Sequence, residues 1–449
     1  MERGTVVMQK RSQWASSIGF LLATAGAAIG LGNLWKFPYL MGKNGGFAFL
    51  AAYLFFVVVL GLPVMMTEMA IGRKTQKNPI GAFAAINRRT TFIGVMGVAS
   101  AFIILSYYSV IGGWLLKYIA SYATTGAAPA DFTAYTAQPV EPLVWHGIFM
   151  LCTALICYKG THGIEKASKW MMPGLFVLLV VIIVRSVTLP GAGAGLAFIF
   201  KPDLSAFTWD SVVAALGQVF YSLSLGMGIT LTYGSYLNKK ENIPLNCAKV
   251  AGLDTMVAVM AGVAIFPAVF SVGLAPEQGP GLIFGTLPHV FGQMAGGSLF
   301  AILFFVLMFF AAVTSAIALL ECIVSYAVDD LHWSRKKAVA WLAVGIFALG
   351  VLSSLSFGPL AQWKILHYNF FDLMGVLTDN ILLPLGGLAM CIYVGWFWGP
   401  GQLILEMESE GVRFRLQKAW IWCIRLITPV LIAVVMVLGF INIVQVIGG

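Results

Sequence analysis

Four short clusters bring oxygen and glycine-loosened backbone into otherwise apolar stretches. Gly26-Ala27-Ala28-Ile29-Gly30-Leu31-Gly32-Asn33 and Ser222-Leu223-Ser224-Leu225-Gly226-Met227-Gly228 each interrupt a long apolar run. Thr314-Ser315 sets two adjacent hydroxyls in a third run, and Asp254 a lone carboxyl in a fourth. Where a helix unwinds away from water, its freed carbonyls need partners, and a small hard cation held by oxygen is a good one. The first cluster offers the carbonyls of Gly26, Ala28 and Ile29 and the amide of Asn33, and the second offers the hydroxyl of Ser222. A half-helix starting after such a break points its positive dipole end inward, which favours a carboxylate ligand. Each cluster also fits a structural reading. Glycines let helices pack closely, hydroxyls bond back to the preceding turn, and Asp254 could sit near a wet helix end. A buried carboxyl in an apolar span is expensive, so a paired or functional role is its default.

The elements that would position these groups follow from composition. Of 449 residues, 59% are hydrophobic and 10% charged, against roughly 25% charged in a soluble domain. With a mean hydropathy of +0.89, the chain is not a soluble enzyme, a disordered tail or a nucleic-acid binder. Apolar runs long enough to span fall at about 14–41, 46–72, 91–124, 143–159, 167–187, 209–237, 243–273, 299–328, 336–355, 369–398 and 418–446. They are continuously apolar, which excludes a lipid-facing β-barrel. Eleven is odd, so the ends should lie on opposite sides. Twenty of the 27 Lys and Arg fall on alternate connections shared with the N-terminus, and none on the opposing stretches 125–142 and 274–298. This predicts a cytoplasmic N-terminus and an external C-terminus. The six Cys lie in apolar stretches and imply no disulfide framework, and the N-terminus shows no cleavable-signal pattern. The external stretch from Pro276 to Pro288 has the composition of a compact lid. The interrupted runs open two blocks of five, and since five is odd the second block must insert upside down. Paired glycine-broken segments at matching positions of inverted halves point to a transporter's binding site.

Gly30-Leu31-Gly32-Asn33-Leu34-Trp35-Lys36-Phe37-Pro38-Tyr39 resembles the first-helix signature of the neurotransmitter:sodium symporter family. Asn44-Gly45-Gly46, Gly61-Leu62-Pro63, Glu68 with Gly72-Arg73, Gln218 to Ser224, Thr232 to Tyr236 and Thr314-Ser315 continue the likeness in order through ten runs. The resemblance is to the family's bacterial LeuT-type amino-acid transporters, without the twelfth helix that such members carry. It implies an all-α polytopic fold, a LeuT-type 5+5 inverted repeat with discontinuous first and sixth helices. Repeat one would cover 14–187, repeat two 209–398, and the extra helix 418–446.

The resemblance further implies a first sodium site at the Ala28 carbonyl, Asn33, Ser222, Asp254 and the substrate carboxylate. A second would use the carbonyls of Gly26, Ile29 and Ala311 with the hydroxyls of Thr314 and Ser315. Relatives commonly carry Asn where Asp254 stands, and chloride-dependent ones bind an anion there. Ala258 replaces the carboxylate of LeuT-type members, so Asp254 is the expected source of negative charge and chloride is not expected to be required. The substrate would be an α-amino acid, with its carboxylate at the Leu31 and Gly32 amides and the Tyr108 hydroxyl. Its ammonium would meet carbonyls of the unwound sixth helix and Ser224. Its side chain would meet Ile104, Tyr108, Tyr221, Met227, Ser315 and Leu319. That lining carries no charge, and charged side chains would be left unpaired in it. Met227 is adaptable, so hydrophobic and aromatic L-amino acids are expected. Another small amino-acid-like solute is the alternative.

The inner gate would be Arg11 with Asp329, supported by Trp14 and Tyr236. At the outer gate Lys36 stands where many members have Arg, Gly375 replaces the usual carboxylate, and Asp372 is the nearest substitute. Gly163 and Pro173 form a Gly-x9-Pro element at the cytoplasmic start of the fifth helix. Proline removes a backbone donor and disfavours helix before it, so either a plain helix start or local unwinding that wets the second sodium site fits. Glu68 should bind groups near the broken helices, and Glu321 carries no assigned role. The expected setting is a bacterial cell membrane, with a lipid bilayer and an amino acid as partners. No catalytic cluster appears. A channel would need a continuous polar pore, and a sensor or membrane enzyme a soluble domain or a charged cluster.

Overall fold

The computed structural model describes residues 12–274 and 280–448. Its secondary structure is helical apart from one isolated bridge between Ile365 and Tyr368. The first apolar run is a bent pair, α1 (Ser17–Ala28) and α2 (Gly32–Lys43), which meet at 57°. There follow α3 (Phe47–Thr75), α4 (Arg88–Thr125), α5 (Glu141–Cys157) and α6 (Gly160–Val187). The sixth run is split into α7 (Trp209–Ser222) and α8 (Ile229–Ser235). Beyond it lie α9 (Ile243–Ser271), α10 (Gly297–Asp329), α11 (Arg335–Leu355) and α12 (Phe370–Trp398). The short α13 (Gly401–Met407) precedes α14 (Gln417–Val446). Eight helices are long and apolar enough to cross a membrane alone, and the bent pair makes a ninth. The 17-residue α5 and the split α7 and α8 account for the other two of the eleven expected spans.

Both interruptions lie where the sequence places them, and each has a local cause. α1 stops because Ile29 turns extended, at φ −73° and ψ 96°. The Asn33 side chain accepts the freed Gly30 N–H at 3.1 Å. Between α7 and α8, Ser224, Gly226 and Gly228 all take left-handed backbone, with φ of 52°, 75° and 71°. Two glycines make this affordable, since only glycine adopts that region without strain. A Cβ on Gly226 would also stand 2.7 Å from the Leu383 carbonyl oxygen. The breaks are buried at the centre of the molecule: Ala23–Leu34 and Leu223–Leu237 are enclosed throughout. α10 packs along α4, while α6, α9 and α10 flank α1.

Two ionic clasps fix the end of the fold that the sequence reads as cytoplasmic. The wholly buried Arg73, at the end of α3, donates to Glu406 of α13 at 2.8 Å, and Lys239 joins the same carboxylate at 2.7 Å. Glu165 of α6 accepts the Ala15 N–H at 2.8 Å and the Ser16 hydroxyl at 2.7 Å, and pairs with Lys169 at 2.6 Å. Ser16 in turn caps α1 by accepting the Gly19 N–H at 3.0 Å. The carboxylate thus secures the helix cap, a device of about 1 kcal/mol. Gly19 is small for this reason, since its Cβ would overlap Glu165. α6 itself is continuous helix across both Gly163 and Pro173.

Candidate functional site

Asp254 lies beside the first break with no exposed surface, on the face of α9 turned toward it. Its Oδ1 accepts from the Asn33 amide at 2.7 Å, and its Oδ2 from the Ser222 hydroxyl at 2.6 Å. Asn33 also donates to Ser222 at 3.0 Å. Three of the residues assigned to the first cation site therefore converge, from three separate helices. A fourth group was not foreseen: the Tyr53 hydroxyl of α3 donates to Asp254 Oδ2 at 3.3 Å. The buried amide of Gln218, one turn before Ser222 on α7, has no partner for either its nitrogen or its oxygen among the described residues.

On the other side of the first break, the Ser315 hydroxyl lies 3.3, 3.2 and 3.4 Å from the carbonyl oxygens of Gly26, Ala27 and Ile29. A hydroxyl has one hydrogen, so at most one of those contacts is satisfied by donation. Thr314 spends its own hydrogen within α10, on Phe310 at 2.9 Å or Ala311 at 3.1 Å. The helical back-bond and the oxygen cluster therefore coexist. The Ser315 hydroxyl and the carbonyls of Gly26, Ala27 and Ile29 thus form a buried group with more acceptors than protons. Carbonyl and hydroxyl oxygens are the ligands that hard cations take.

Between the two oxygen clusters lies a small cavity lined almost entirely by buried residues. Leu31, Gly32, Ile104, Tyr108, Tyr221, Ser224, Met227, Ser315 and Leu319 line it, together with Ala27, Ala28, Gly30, Asn33 and Ile229, whereas Ser222, also read as a substrate contact, does not. One end is polar: the Leu31 N–H reaches the Tyr108 hydroxyl at 3.4 Å, and the Ser224 hydroxyl donates to the Ala27 carbonyl at 3.2 Å. The other end is aliphatic and aromatic, and no ionic side chain lines it. Glycine is required at Gly32, where a Cβ would stand 2.6 Å from the Tyr221 ring. Glu68, 3% exposed, accepts the Gly226 N–H at 2.8 Å and the Thr230 hydroxyl, so it holds the unwound stretch before α8.

Beyond Tyr221 the cavity gives way to a wider one of about 710 Å3, whose wall includes Lys36, Asp372 and Asp379. The Lys36 ammonium stands over the Tyr221 ring, 4.8 Å from its centroid. The carboxylate within its Coulombic reach is Asp379. Asp372 instead sits in the first turn of α12, where its N–H is capped by Asn369 at 2.8 Å. Two turns of helix separate Asp372 from Asp379, which lies one turn beyond Gly375.

At the opposite end, the Trp14 indole donates to the Tyr233 carbonyl at 3.1 Å and packs edge-on against Tyr236 at 6.0 Å. The Tyr236 hydroxyl donates to Glu321 at 2.7 Å. Arg335 pairs with that carboxylate and also donates to the Cys157 carbonyl at 2.9 Å. Glu321 thus gains a role the sequence left open. With Arg335 it ties α8 and α10 to the end of α5 and the start of α11. Asp329 accepts from the Asn78 amide at 3.3 Å; its expected partner Arg11 lies outside the described residues.

The profile of the sodium:neurotransmitter symporter family matches residues 11–135 and 138–447. The uncharacterized sodium-dependent transporter YhdH of Bacillus subtilis is 39% identical, covering 95% of this chain and 97% of its own. An uncharacterized sodium-dependent transporter of Haemophilus influenzae is 35% identical over 96% of this chain and 98% of its own. Among solved structures, MhsT in complex with L-phenylalanine superimposes with a TM-score of 0.88 at 43% identity, covering 96% of this chain and all of that one.

Proposed function

Because this chain belongs to the sodium:neurotransmitter symporter family, we propose that it imports hydrophobic and aromatic L-amino acids, each coupled to two sodium ions, by alternating access. The observation that carries the proposal is the arrangement of one uncharged cavity between two buried oxygen clusters, all three built on the broken helices. One cation sits among Ala28, Asn33, Ser222 and Asp254, where the substrate carboxylate completes its shell. The other sits among Gly26, Ile29, Ala311, Thr314 and Ser315. Substrate and first sodium neutralise one another, so each raises the affinity of the other, as linkage requires.

Selectivity follows from the aliphatic and aromatic end, where a charged side chain would be desolvated without a partner. The L-phenylalanine held by MhsT belongs to the class favoured here. A panel of labelled amino acids in proteoliposomes tests the reading. Leucine, isoleucine, phenylalanine, tryptophan and tyrosine are expected to accumulate against their gradient only when sodium is higher outside. Aspartate and lysine should not. Accumulation without a sodium gradient, or a flux that does not saturate, would overturn it and favour a channel.

Asp254 supplies the fixed negative charge at the first cation site, so chloride is not required. The chain lies in a bacterial cell membrane, N-terminus in the cytoplasm and C-terminus outside. The inner gate combines Arg11 and Asp329 with Trp14 and Tyr236. Lys36 and the vestibular carboxylates Asp372 and Asp379 form the outer one with Tyr108 and Tyr221. Release of the second sodium begins when α6 unwinds between Gly163 and Pro173. Pro173→Ala restores a donor and removes the ring clash with the preceding turn. It is therefore expected to slow uptake severalfold while leaving sodium-dependent substrate binding intact. Unchanged uptake would remove the unwinding step from the cycle.

A further inference from the structure

Arg425 is a charged residue on the lipid-facing side of α14, and nothing in the transport cycle uses it. It is exposed, and its surroundings are the exposed side chains of Trp396 (60%), Phe397 (78%) and Trp422 (63%). α14 spans 30 residues, about 45 Å at 1.5 Å per residue, against a hydrocarbon core of roughly 30 Å. Arg425 lies eight residues after Gln417, about 12 Å along the helix. That places its Cα just inside one edge of the core, within a side chain's reach of the phosphate layer. Arginines at such depths extend their charged end toward the headgroups.

The guanidinium is held, not loose. Its Nε donates to the Gly395 carbonyl of α12 at 2.8 Å, and the Trp396 indole N–H donates back to the Arg425 carbonyl at 3.1 Å. The guanidinium carbon also stands 5.8 Å from the centroid of the Trp396 ring. Both helices widen to π-helical turns at this crossing, over Tyr393–Trp398 and Cys423–Ile427. Such turns free backbone carbonyls and recur at functional positions. Gly395 permits the approach, since a Cβ there would lie 3.1 Å from Arg425 Cγ. With Nε engaged by Gly395 and the Trp396 ring beside the guanidinium, the two terminal amino groups have no protein partner among the described residues. No carboxylate pairs with Arg425 there either.

We propose that Arg425, oriented by Gly395 and Trp396, is a binding site for the phosphodiester of an anionic phospholipid in the leaflet where α14 begins. A planar fork with two free N–H edges matches phosphate oxygens in two-pronged fashion. The missing countercharge selects an anionic lipid over a zwitterionic one, whose headgroup brings its own cation. The flanking Trp396, Phe397 and Trp422 suit the interface between headgroups and chains.

The test uses the full-length chain in detergent, with native mass spectrometry to count bound lipid. Phosphatidylglycerol, phosphatidylcholine and inorganic phosphate are added separately. Wild type is expected to retain one more phosphatidylglycerol than Arg425→Gln, with at least tenfold weaker retention of phosphatidylcholine and none of phosphate. Arg425→Lys keeps the charge but loses the fork, and is expected to weaken retention severalfold. Trp396→Leu, which leaves the arginine but removes its platform, should do the same and keeps the test valid if Arg425→Gln folds poorly. Sodium-dependent substrate binding should be unchanged in every variant. Equal retention by wild type and Arg425→Gln would overturn the site. Equal retention of phosphatidylcholine would overturn its anionic selectivity, and displacement by phosphate its assignment to lipid.

Discussion

In chloride-free buffer, Asp254→Asn is expected to lose sodium-driven uptake by tenfold or more, and chloride is expected to restore most of it. Asp254 is wholly buried, and its carboxylate is oriented by Asn33, Ser222 and Tyr53. A cation about 4 Å away interacts with such a charge by about 4 kcal/mol at the effective dielectric typical of proteins. The desolvation of the carboxylate itself offsets part of this. A remainder of about 1.4 kcal/mol already means tenfold in affinity. The Asn variant keeps the shape and two polar atoms but not the charge. An anion would then be held by the donors already present, namely the hydroxyls of Tyr53 and Ser222 and the amide of Gln218, which has no partner among the described residues. Wild-type uptake should be the same in chloride and in gluconate. Undiminished uptake by Asp254→Asn without chloride would mean that the countercharge comes from elsewhere.

How much of this site could be read beforehand depended on how each residue announces itself. The broken spans were legible from composition, because glycine and serine inside an apolar run conflict with the surrounding pattern. Asp254 was legible for the same reason. The cavity lining was not accessible to spacing: Ile104, Tyr108, Met227 and Leu319 come from α4, the α7–α8 link and α10, and only the family resemblance brought them together. Tyr53 remained hidden because a tyrosine among Leu, Phe and Val looks like ordinary apolar surface until Asp254 is placed across from it, 201 residues away. Glu165 failed for a different reason. Beside Lys166 and Lys169 it reads as part of a solvated, basic loop, while in the fold it is 3% exposed and secures the start of α1. Asp379 was missed because helical geometry, not alignment with a relative's carboxylate, decides which side chain faces Lys36. Charges are therefore the residues whose position sequence reveals best and whose partners it reveals least.

Arg335→Gln is expected to be the most damaging single change on the side opposite the vestibule, and Glu321→Gln in the same chain should recover much of the loss. In the sequence Arg335 is one of the basic residues that set topology, yet its guanidinium reaches the Glu321 carboxylate, which has no exposed surface. Removing the arginine leaves a fully buried carboxylate uncompensated; because the guanidinium is itself 26% exposed, the cost lies at or below the lower end of the about 3–5 kcal/mol of a wholly buried pair. Replacing both with neutral polar groups removes that penalty. The stranded carboxylate would also still accept from Tyr236, whose ring packs against Trp14. Its strain would fall on the contact between α8 and the start of α1, where the inward path must open. Arg335→Gln should therefore lower both thermal stability and sodium-dependent substrate binding, as expected of a protein that no longer closes on that side. Labelling of a cysteine placed at Ser16 should rise in parallel, since that hydroxyl is normally held by Glu165. The double variant separates a pairing effect from a general role of arginine. A positive coupling of 1 kcal/mol or more in the double-mutant cycle is expected for groups in direct contact. Simple additivity would mean that Arg335 acts through the Cys157 carbonyl alone, and that Glu321 is held by Tyr236 without help.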